Sequence, residues 1–506
     1  MTTLDEDLRR AAAAAPGKEA LVVDGGARRI AFAELDAAAS ALAARLHALG
    51  VERGERVALL LPNGAEAAIA IYGTLRAGAA FVPLNPTIKA DKLAYVLRDC
   101  DAAAVVVDAR LAPLAEAARA DAPRRPVLVS PDDTRTGRLR AGSAPLSVDL
   151  AAIVYTSGST GRPKGVTLTH ANMAFAAGAI VEYLEMDAED RILCVVPLSF
   201  DYGLYQLLMC VRVGATLVLE RGFAFPGRVL ELLREERVSG LPAVPTIFQV
   251  LTAALGERAP DLPHLRFLTN TAAALAPPTI DALRAAFPRA RLYSMYGLTE
   301  CKRVSWLAPE QLDARPESVG IPIPGTEAWV ADEHGEPLPA GEVGELLVRG
   351  AHVMQGYWND PDATAQRLRP GRWPWERVLA TGDLFRADEE GYLYFVGRRD
   401  DIIKSRGEKV APREVEAVLH AAEGVRMAAV LGVPDPLLGE AIVAYVVPQE
   451  GAALTPAALR RHCAAHLEDY MVPARVELRE ALPTTPNGKV DRRALAREAG
   501  ETPAAR

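Results

Sequence analysis

Short apolar runs rich in β-branched residues alternate with longer alanine-rich stretches along the first part of the chain. Arg56-Val-Ala-Leu-Leu-Leu has the composition of a strand, residues 65–77 that of a helix, and Ala79-Ala-Phe-Val-Pro-Leu that of a strand again. Ala104-Val-Val-Val, Pro126-Val-Leu-Val, Arg191-Ile-Leu-Cys-Val-Val, Ala215-Thr-Leu-Val-Leu and Leu265-Arg-Phe-Leu continue the series. Strands alternating with helices predict parallel, doubly wound α/β sheets. From about Ile321 the texture changes. Gly, Pro and Glu become frequent, and Glu345-Leu-Leu-Val-Arg-Gly and Gly391-Tyr-Leu-Tyr-Phe-Val-Gly read as strands between tight turns, a small β subdomain. Gly397-Arg-Arg-Asp-Asp-Ile-Ile-Lys-Ser-Arg-Gly then packs charge between two glycines, as expected of a hinge rather than a core strand. After it Pro412 opens a helix over 413–420, and the remainder is expected to form an α+β module of roughly a hundred residues.

Bulk properties narrow the picture. A chain of 506 residues exceeds one ordinary core and is expected to divide. Half of it is apolar and 24% charged, the balance of a globular protein. The formal charge of -8 is spread along the chain, which disfavours nonspecific attraction to nucleic acid or anionic membrane. The five cysteines are scattered, odd in number and free of any Cys-x-x-Cys pair, which fits a reducing cytoplasm. Met1-Thr-Thr-Leu-Asp-Glu-Asp is acidic where a secretory leader would be basic, and the most apolar stretch, residues 67–83, is interrupted by Arg76. His462 and His466 stand four apart, a spacing able to bind metal on a helix, but the charges around them favour a solvated face.

The densest chemistry lies in Tyr155-Thr-Ser-Gly-Ser-Thr-Gly-Arg-Pro-Lys-Gly-Val. Residues 151–154 lead into it as a strand end; a loop is expected thereafter. Thr156, Ser157, Ser159 and Thr160 supply hydroxyls, Gly158, Gly161 and Gly165 let backbone N–H groups approach an anion, and Lys164 adds charge. Such a loop holds phosphate. It is not a Walker loop: from Gly158 the second glycine would fall on Pro163, and Lys164 is followed by Gly165. A plain Gly/Ser surface loop is the bland alternative.

Further along, Tyr293-Ser-Met-Tyr-Gly-Leu-Thr-Glu offers Tyr296 to stack on a base, Gly297 for close approach, Thr299 to donate to a phosphate and Glu300 to hold Mg²⁺. Asp383 follows a turn glycine and can accept hydrogen bonds from ribose hydroxyls or cap the turn. Lys489 follows an Asn-Gly turn. Taken singly, each of these has an ordinary structural explanation.

Together and in this order, from about residue 20 to about 495, they resemble the adenylate-forming superfamily of acyl-CoA synthetases, peptide-synthetase adenylation domains and luciferases. The resemblance implies a large N-terminal domain, residues 1–397, of two α/β subdomains plus a small β-barrel. A small mobile α+β C-terminal domain, residues 398–506, would swing about a hinge near Asp400. It implies ATP and Mg²⁺, and an acid activated as its adenylate before transfer to the pantetheine thiol of CoA or of a carrier protein. By the same resemblance Thr156, Ser157, Gly158, Ser159, Thr160 and Lys164 hold the β- and γ-phosphates. Tyr296 and Gly297 line the adenine, Thr299 meets the α-phosphate, Glu300 binds the metal, Asp383 and Arg398 hold the ribose, and Lys489 bridges the carboxylate and α-phosphate. Lys404, Arg406, Gly407 and Lys409 would lie near the incoming pantetheine arm.

The acid itself is read less directly. Phe200-Asp201 stands where amino-acid-activating relatives carry an aspartate for the substrate ammonium, whereas residues 296–300 and 404–416 resemble free-standing acyl-CoA ligases. A stand-alone enzyme loading a proline-like amino acid onto a peptidyl carrier is therefore the alternative. A luciferase-like oxygenase and a non-catalytic nucleotide binder are the others. Asn270, Thr271 and Ala272 replace smaller residues usual beside the acyl pocket. Lys302 and Arg303 are expected to point outward, since buried unpaired cations are rare. Too few residues follow Lys489 for a carrier domain, so the thiol is expected in trans.

Overall fold

A computed structural model describes residues 3–501 except 132–137, 141, 143, 158–162, 224, 256–259, 272–274, 276, 406–407, 436–438, 468–469 and 486–488. Two large sheets dominate the N-terminal part. In one, Arg291–Tyr296, Phe267–Asn270, Gly240–Ala243, Arg191–Cys194, Thr216–Leu219 and Glu19–Val23 run parallel in that spatial order. Antiparallel strands close both edges of it: Ser305–Leu307 with Ile321–Pro322, and Arg28–Ala31. In the other, Leu150–Ser157, Ala80–Pro83, Arg56–Leu60, Ala102–Val107 and Val127–Val129 are parallel, and Pro163–Thr169 and Gly356–Tyr357 extend it antiparallel. The alternating strand and helix pattern is thus realised as two α/β sheets. Side-chain period two explains the unbroken apolar runs: Val57 and Leu59 enter the core shared by the two sheets, while Ala58 and Leu60 enter a separate core on the opposite face.

A third sheet is antiparallel: Thr326–Ala331, Gly344–Gly350, Arg377–Ala387 and Leu368–Pro370, with Leu393–Arg398 on the last residues of the long strand. Among the described residues its pairings form a curled, open sheet, so the expected barrel is present only in part. Beyond it, Glu408–Val410, Ile403–Ser405, Gly439–Pro448 and Val425–Asp435 pair antiparallel, with Arg475–Leu478 parallel to Gly439–Pro448. This last sheet has cores of its own on its two faces, one around Val430 and Ala444, the other around Ala429 and Tyr445.

Three local expectations change. The strand before the hydroxyl-rich loop runs on through Ser157 and returns at Pro163, so only residues 158–162 separate the two strands. Pro163 opens the return strand, where a missing N–H costs least. The charged hinge is also partly regular: a 3-10 turn, Arg399–Asp401, leads into Ile403–Ser405, because Ile403 and Ser405 are both buried. His462 is half-buried against the Val418 carbonyl (3.1 Å) rather than on a fully solvated face. Among the described residues no helix is long and apolar enough to cross a membrane.

The N-terminal helix Leu4–Ala14 is capped by Thr3 and Glu6 reciprocally and fastened by a buried ion pair. Arg76, 2% exposed, holds Asp5 at 2.8 Å and Asp36 at 2.6 Å. Arg76→Met would leave Asp5 buried with only the exposed Arg9 as partner. The variant is expected to lose about 3–5 kcal/mol, read as an earlier first transition in urea unfolding followed by fluorescence.

Candidate active site

The chemistry-bearing residues gather where parallel strands end, the place where open α/β sheets present their crevice. Leu150–Ser157 delivers the hydroxyl-rich loop. Phe267–Asn270 delivers Asn270 and Thr271, Arg291–Tyr296 delivers Tyr296 to Glu300, and the segment after Arg191–Cys194 delivers Phe200 and Asp201.

The loop is anchored by its two strands. Thr156 pairs with Lys164 in register, and the Thr156 hydroxyl lies 3.5 Å from the Lys164 carbonyl. Gly158, Ser159 and Thr160 fall outside the described residues; Ser157 ends its strand. The Lys164 ammonium sits 5.2 Å from the centre of the Tyr357 ring. The Tyr357 hydroxyl donates to Glu300 Oε1 at 2.7 Å, and the Met354 N–H donates to the Glu300 carbonyl at 2.8 Å. Burial and the neighbouring Glu300 carboxylate raise the Tyr357 hydroxyl well above the usual phenol range, keeping it a donor. Tyr357 thus joins the loop to the tyrosine–threonine–glutamate segment. Sequence reasoning missed it: it sits on a two-residue strand far along the chain, with no periodicity to mark it.

A second group forms on the curled sheet. Asp383 is 3% exposed and pairs in register with Arg398. Its Oδ2 accepts from the Tyr296 hydroxyl at 2.6 Å and its Oδ1 from Arg398 Nε at 2.9 Å. Tyr296 also packs edge-on against Phe385, ring centres 4.8 Å apart. Lys489 closes the cleft from the C-terminal module, in a turn where the Thr485 N–H donates to its carbonyl at 2.7 Å. Solvent still reaches its side chain, but surrounding protein pulls the ammonium below the ordinary lysine range, against the opposing pull of Asp201 and Asp383 and with the repulsion of Arg398. These charges tie Lys489 both to Asp201 and to the Asp383–Arg398 pair. Asp400 lies in the short 3-10 turn at the start of that module.

The turn after Tyr296 corrects one expectation. Lys302 and Arg303 point inward, 4% and 1% exposed. The cause is backbone geometry. A β-carbon on Gly297 would stand 2.0 Å from the Lys302 carbonyl oxygen, so glycine lets the turn close. Lys302 then takes a left-handed conformation (φ 60) that carries both side chains under the strand end. Lys302 Nζ donates to the Asp201 carbonyl at 3.1 Å, lies 3.9 Å from Asp201 Oδ2, and covers the rings of Tyr205 and Tyr202 at 4.7 and 5.2 Å. Burial lowers its pKa to about 7, against the stabilising charge of Asp201. Arg303 Nη1 donates to Thr271 Oγ1 at 2.8 Å. Phe200, half-buried, precedes the helix Asp201–Val213 and stands edge-on to Tyr202. Asn270 is fully buried; Ala272 falls outside the described residues. Arg406 and Gly407 also fall outside them, and Lys404 and Lys409 pair in register between strands.

The chain resembles known proteins along most of its length. The family model of the AMP-binding enzymes matches residues 8–358, and that of the AMP-binding enzyme C-terminal domain matches residues 414–489. Feruloyl-CoA synthase from Amycolatopsis sp is 35% identical over 475 residues, covering 93% of this chain and 94% of that protein. A linear gramicidin synthase polypeptide from Brevibacillus parabrevis is also 35% identical, over 92% of this chain; the chain spans only 6% of that protein's length. Among solved structures, o-succinylbenzoate CoA synthetase from Bacillus subtilis, in complex with its acyl-adenylate intermediate, superposes with a TM-score of 0.86 at 28% identity and covers 98% of both chains. The same enzyme has been solved with ATP and magnesium ion.

The inward Lys302 predicts a measurable titration. It is protonated below its lowered pKa and loses its proton as pH rises through about 7. Nitrogen-15 spectra of lysine-labelled protein should contain one Nζ resonance titrating there, and Lys302→Met should remove it.

Proposed function

The chain belongs to the AMP-binding enzymes, and from that membership we propose that it is an AMP-forming acid–thiol ligase. It would join a carboxylic acid to the α-phosphate of ATP, release pyrophosphate, and pass the acyl group to a pantetheine thiol. One observation carries the reading. Lys164, Tyr357 and Glu300 are linked, Tyr296, Asp383 and Arg398 are linked, and Lys489 is tied electrostatically to Asp383, Arg398 and Asp201.

The physical problem is that both reactants are anionic. Attack of a carboxylate oxygen on the α-phosphorus requires charge neutralisation and alignment more than covalent help from the protein. Lys164 and the hydroxyl of Thr156, with Ser157 and residues 158–160 of the loop, would bind the β- and γ-phosphates. Tyr296 and Gly297 would border the adenine, Asp383 and Arg398 the ribose, and Thr299 the α-phosphate. Among the described residues no lysine or arginine pairs with Glu300; its Oε1 takes only the neutral Tyr357 hydroxyl. A carboxylate left uncompensated in this way fits Mg²⁺, a hard cation held by few carboxylates plus phosphates. Bound there, Mg²⁺ would offset charge on the triphosphate. Lys489 would span the acid carboxylate and the α-phosphate, where one well-placed cation is worth on the order of 10²–10³ in rate.

Transfer to the thiol requires Lys489 to withdraw, and rotation of the C-terminal module near Asp400 would accomplish this. The separate cores of that module support such a movement, since it buries its apolar side chains without the N-terminal part. The acceptor is CoA or the phosphopantetheine of a separate carrier protein. The relatives span both kinds of assembly, one named a CoA synthase and one a linear gramicidin synthase. The amino-acid reading rests on Asp201. Lys302 already stands 3.9 Å from that carboxylate, so a substrate ammonium is not needed to offset it.

ATP–pyrophosphate exchange across fatty, aryl, amino and dicarboxylic acids tests the activity, and mass spectrometry of products formed with CoA or carrier proteins identifies the acceptor. Folded protein that exchanges with no acid would sink the reading. Lys489→Ala should lower adenylation by on the order of 10²-fold or more while thioester formation from supplied adenylate changes little; equal losses would contradict the role given to this lysine. The lowered Lys489 pKa adds a sign. The charged form is lost as pH rises through that pKa, so adenylation should decline on the alkaline side earlier than an ordinary lysine would allow. Lys489→Arg, charged throughout, should flatten that limb.

A further inference from the structure

Arg303 is 1% exposed, and a guanidinium cannot shed its proton in a protein. Among the described residues no carboxylate pairs with it. Nη1 donates to the neutral Thr271 hydroxyl, the guanidinium lies 5.8 Å from the centre of the Tyr202 ring, and Nε has no partner. The Tyr183 hydroxyl interacts with it but points its own proton at Met295 Sδ, 2.9 Å away. A buried cation without a counter-charge is strongly unfavourable, so the arrangement calls for an anion supplied from outside the chain.

Asp201 and Thr271 relate that anion to the cleft. Lys489 feels Asp201, Arg398 and Asp383, whereas Lys302 feels Asp201 and Arg303. Asp201 Oδ2 stands 3.9 Å from Lys302 Nζ and also acts on Lys489, so it links the two lysines. Asp201 is the carboxylate beside Lys302, and among the described residues Arg303 has none. Thr271, which binds Arg303, follows the strand end Phe267–Asn270 on the same side of the cleft.

We propose that Arg303, assisted by Lys302, receives a second carboxylate at the end of the acid remote from the one that is activated, so that the substrate is a dicarboxylic acid. The proposal rests on the adenylation reading of the cleft for which carboxylate reacts; the anion site itself does not. Arg303 touches substrate without touching the reacting atoms. It sets which acid is accepted, and its planar fork suits a carboxylate better than lysine's point charge.

The test compares straight-chain and aromatic dicarboxylic acids of graded length with the monomethyl ester of each, by ATP–pyrophosphate exchange with the wild type, Arg303→Met and Arg303→Lys. For at least one length the free diacid should exceed its monoester by about 10²-fold in kcat/KM, the scale of a buried charge contact. Arg303→Met should collapse that ratio, and Arg303→Lys should restore part of it. Equal use of diacid and monoester, or preference for fatty or amino acids, overturns the proposal, and this wild-type comparison decides even where the methionine variant fails to fold. Calorimetric titration with the same diacids separates the two readings. Diacid binding that Arg303→Met weakens at least tenfold, without exchange, upholds the anion site and sinks adenylation. Exchange on monoacids with no diacid preference does the reverse.

Discussion

A carboxylate removed from water must be held by donors or cations, and Asp383 meets that requirement with groups from two different sheets. Tyr296, at the end of a parallel strand, gives one oxygen its hydroxyl, and Arg398, at the end of the curled sheet, gives the other its guanidinium. Neither bond can be satisfied unless the two sheets meet at that point. The same carboxylate acts on Lys489, so it also influences how the C-terminal module approaches. Burial makes these contacts stringent: the loss of either donor would leave charge or hydroxyl unmatched in a poorly solvated place.

The Glu300 side of the cleft follows a different rule. Its carboxylate has a phenol for a neighbour and no cation among the described residues, and the lysine of the loop is held over the ring of that same phenol. Charges of opposite sign are thereby brought to one cleft without neutralising each other. A site built to receive a polyanion with its counter-ion needs this separation, since a lysine already spent on a glutamate would have little left for phosphate.

Much of this was legible in the residues. The apolar runs marked the parallel strands because strands buried on both faces carry no polar alternation, and Lys164, Asp383 and Lys489 stood out through their glycine-bearing turns. The failures have physical causes. Lys302 and Arg303 were expected outside because unpaired cations are seldom buried; the Gly297 turn and the left-handed backbone at Lys302 overrode that preference, and no local pattern announces a carbonyl 2.0 Å from a missing β-carbon. Tyr357 could not be found from spacing, because its partners at 164 and 300 are joined to it only by the tertiary fold. Ile403 and Ser405 were hidden in a run of charge, where alternation over three residues is too short to signal a strand.

Glu300, Lys302 and Arg303 occupy one tight turn, so the group proposed for the metal and those proposed for the acid share a few peptide units. Altering the turn to admit a different acid would disturb the Glu300 carboxylate with it. Thr271, which follows the strand Phe267–Asn270, is bound to the same turn through the Arg303 guanidinium. Redesign of acid preference, by laboratory selection or by natural divergence, would have to carry that linkage along.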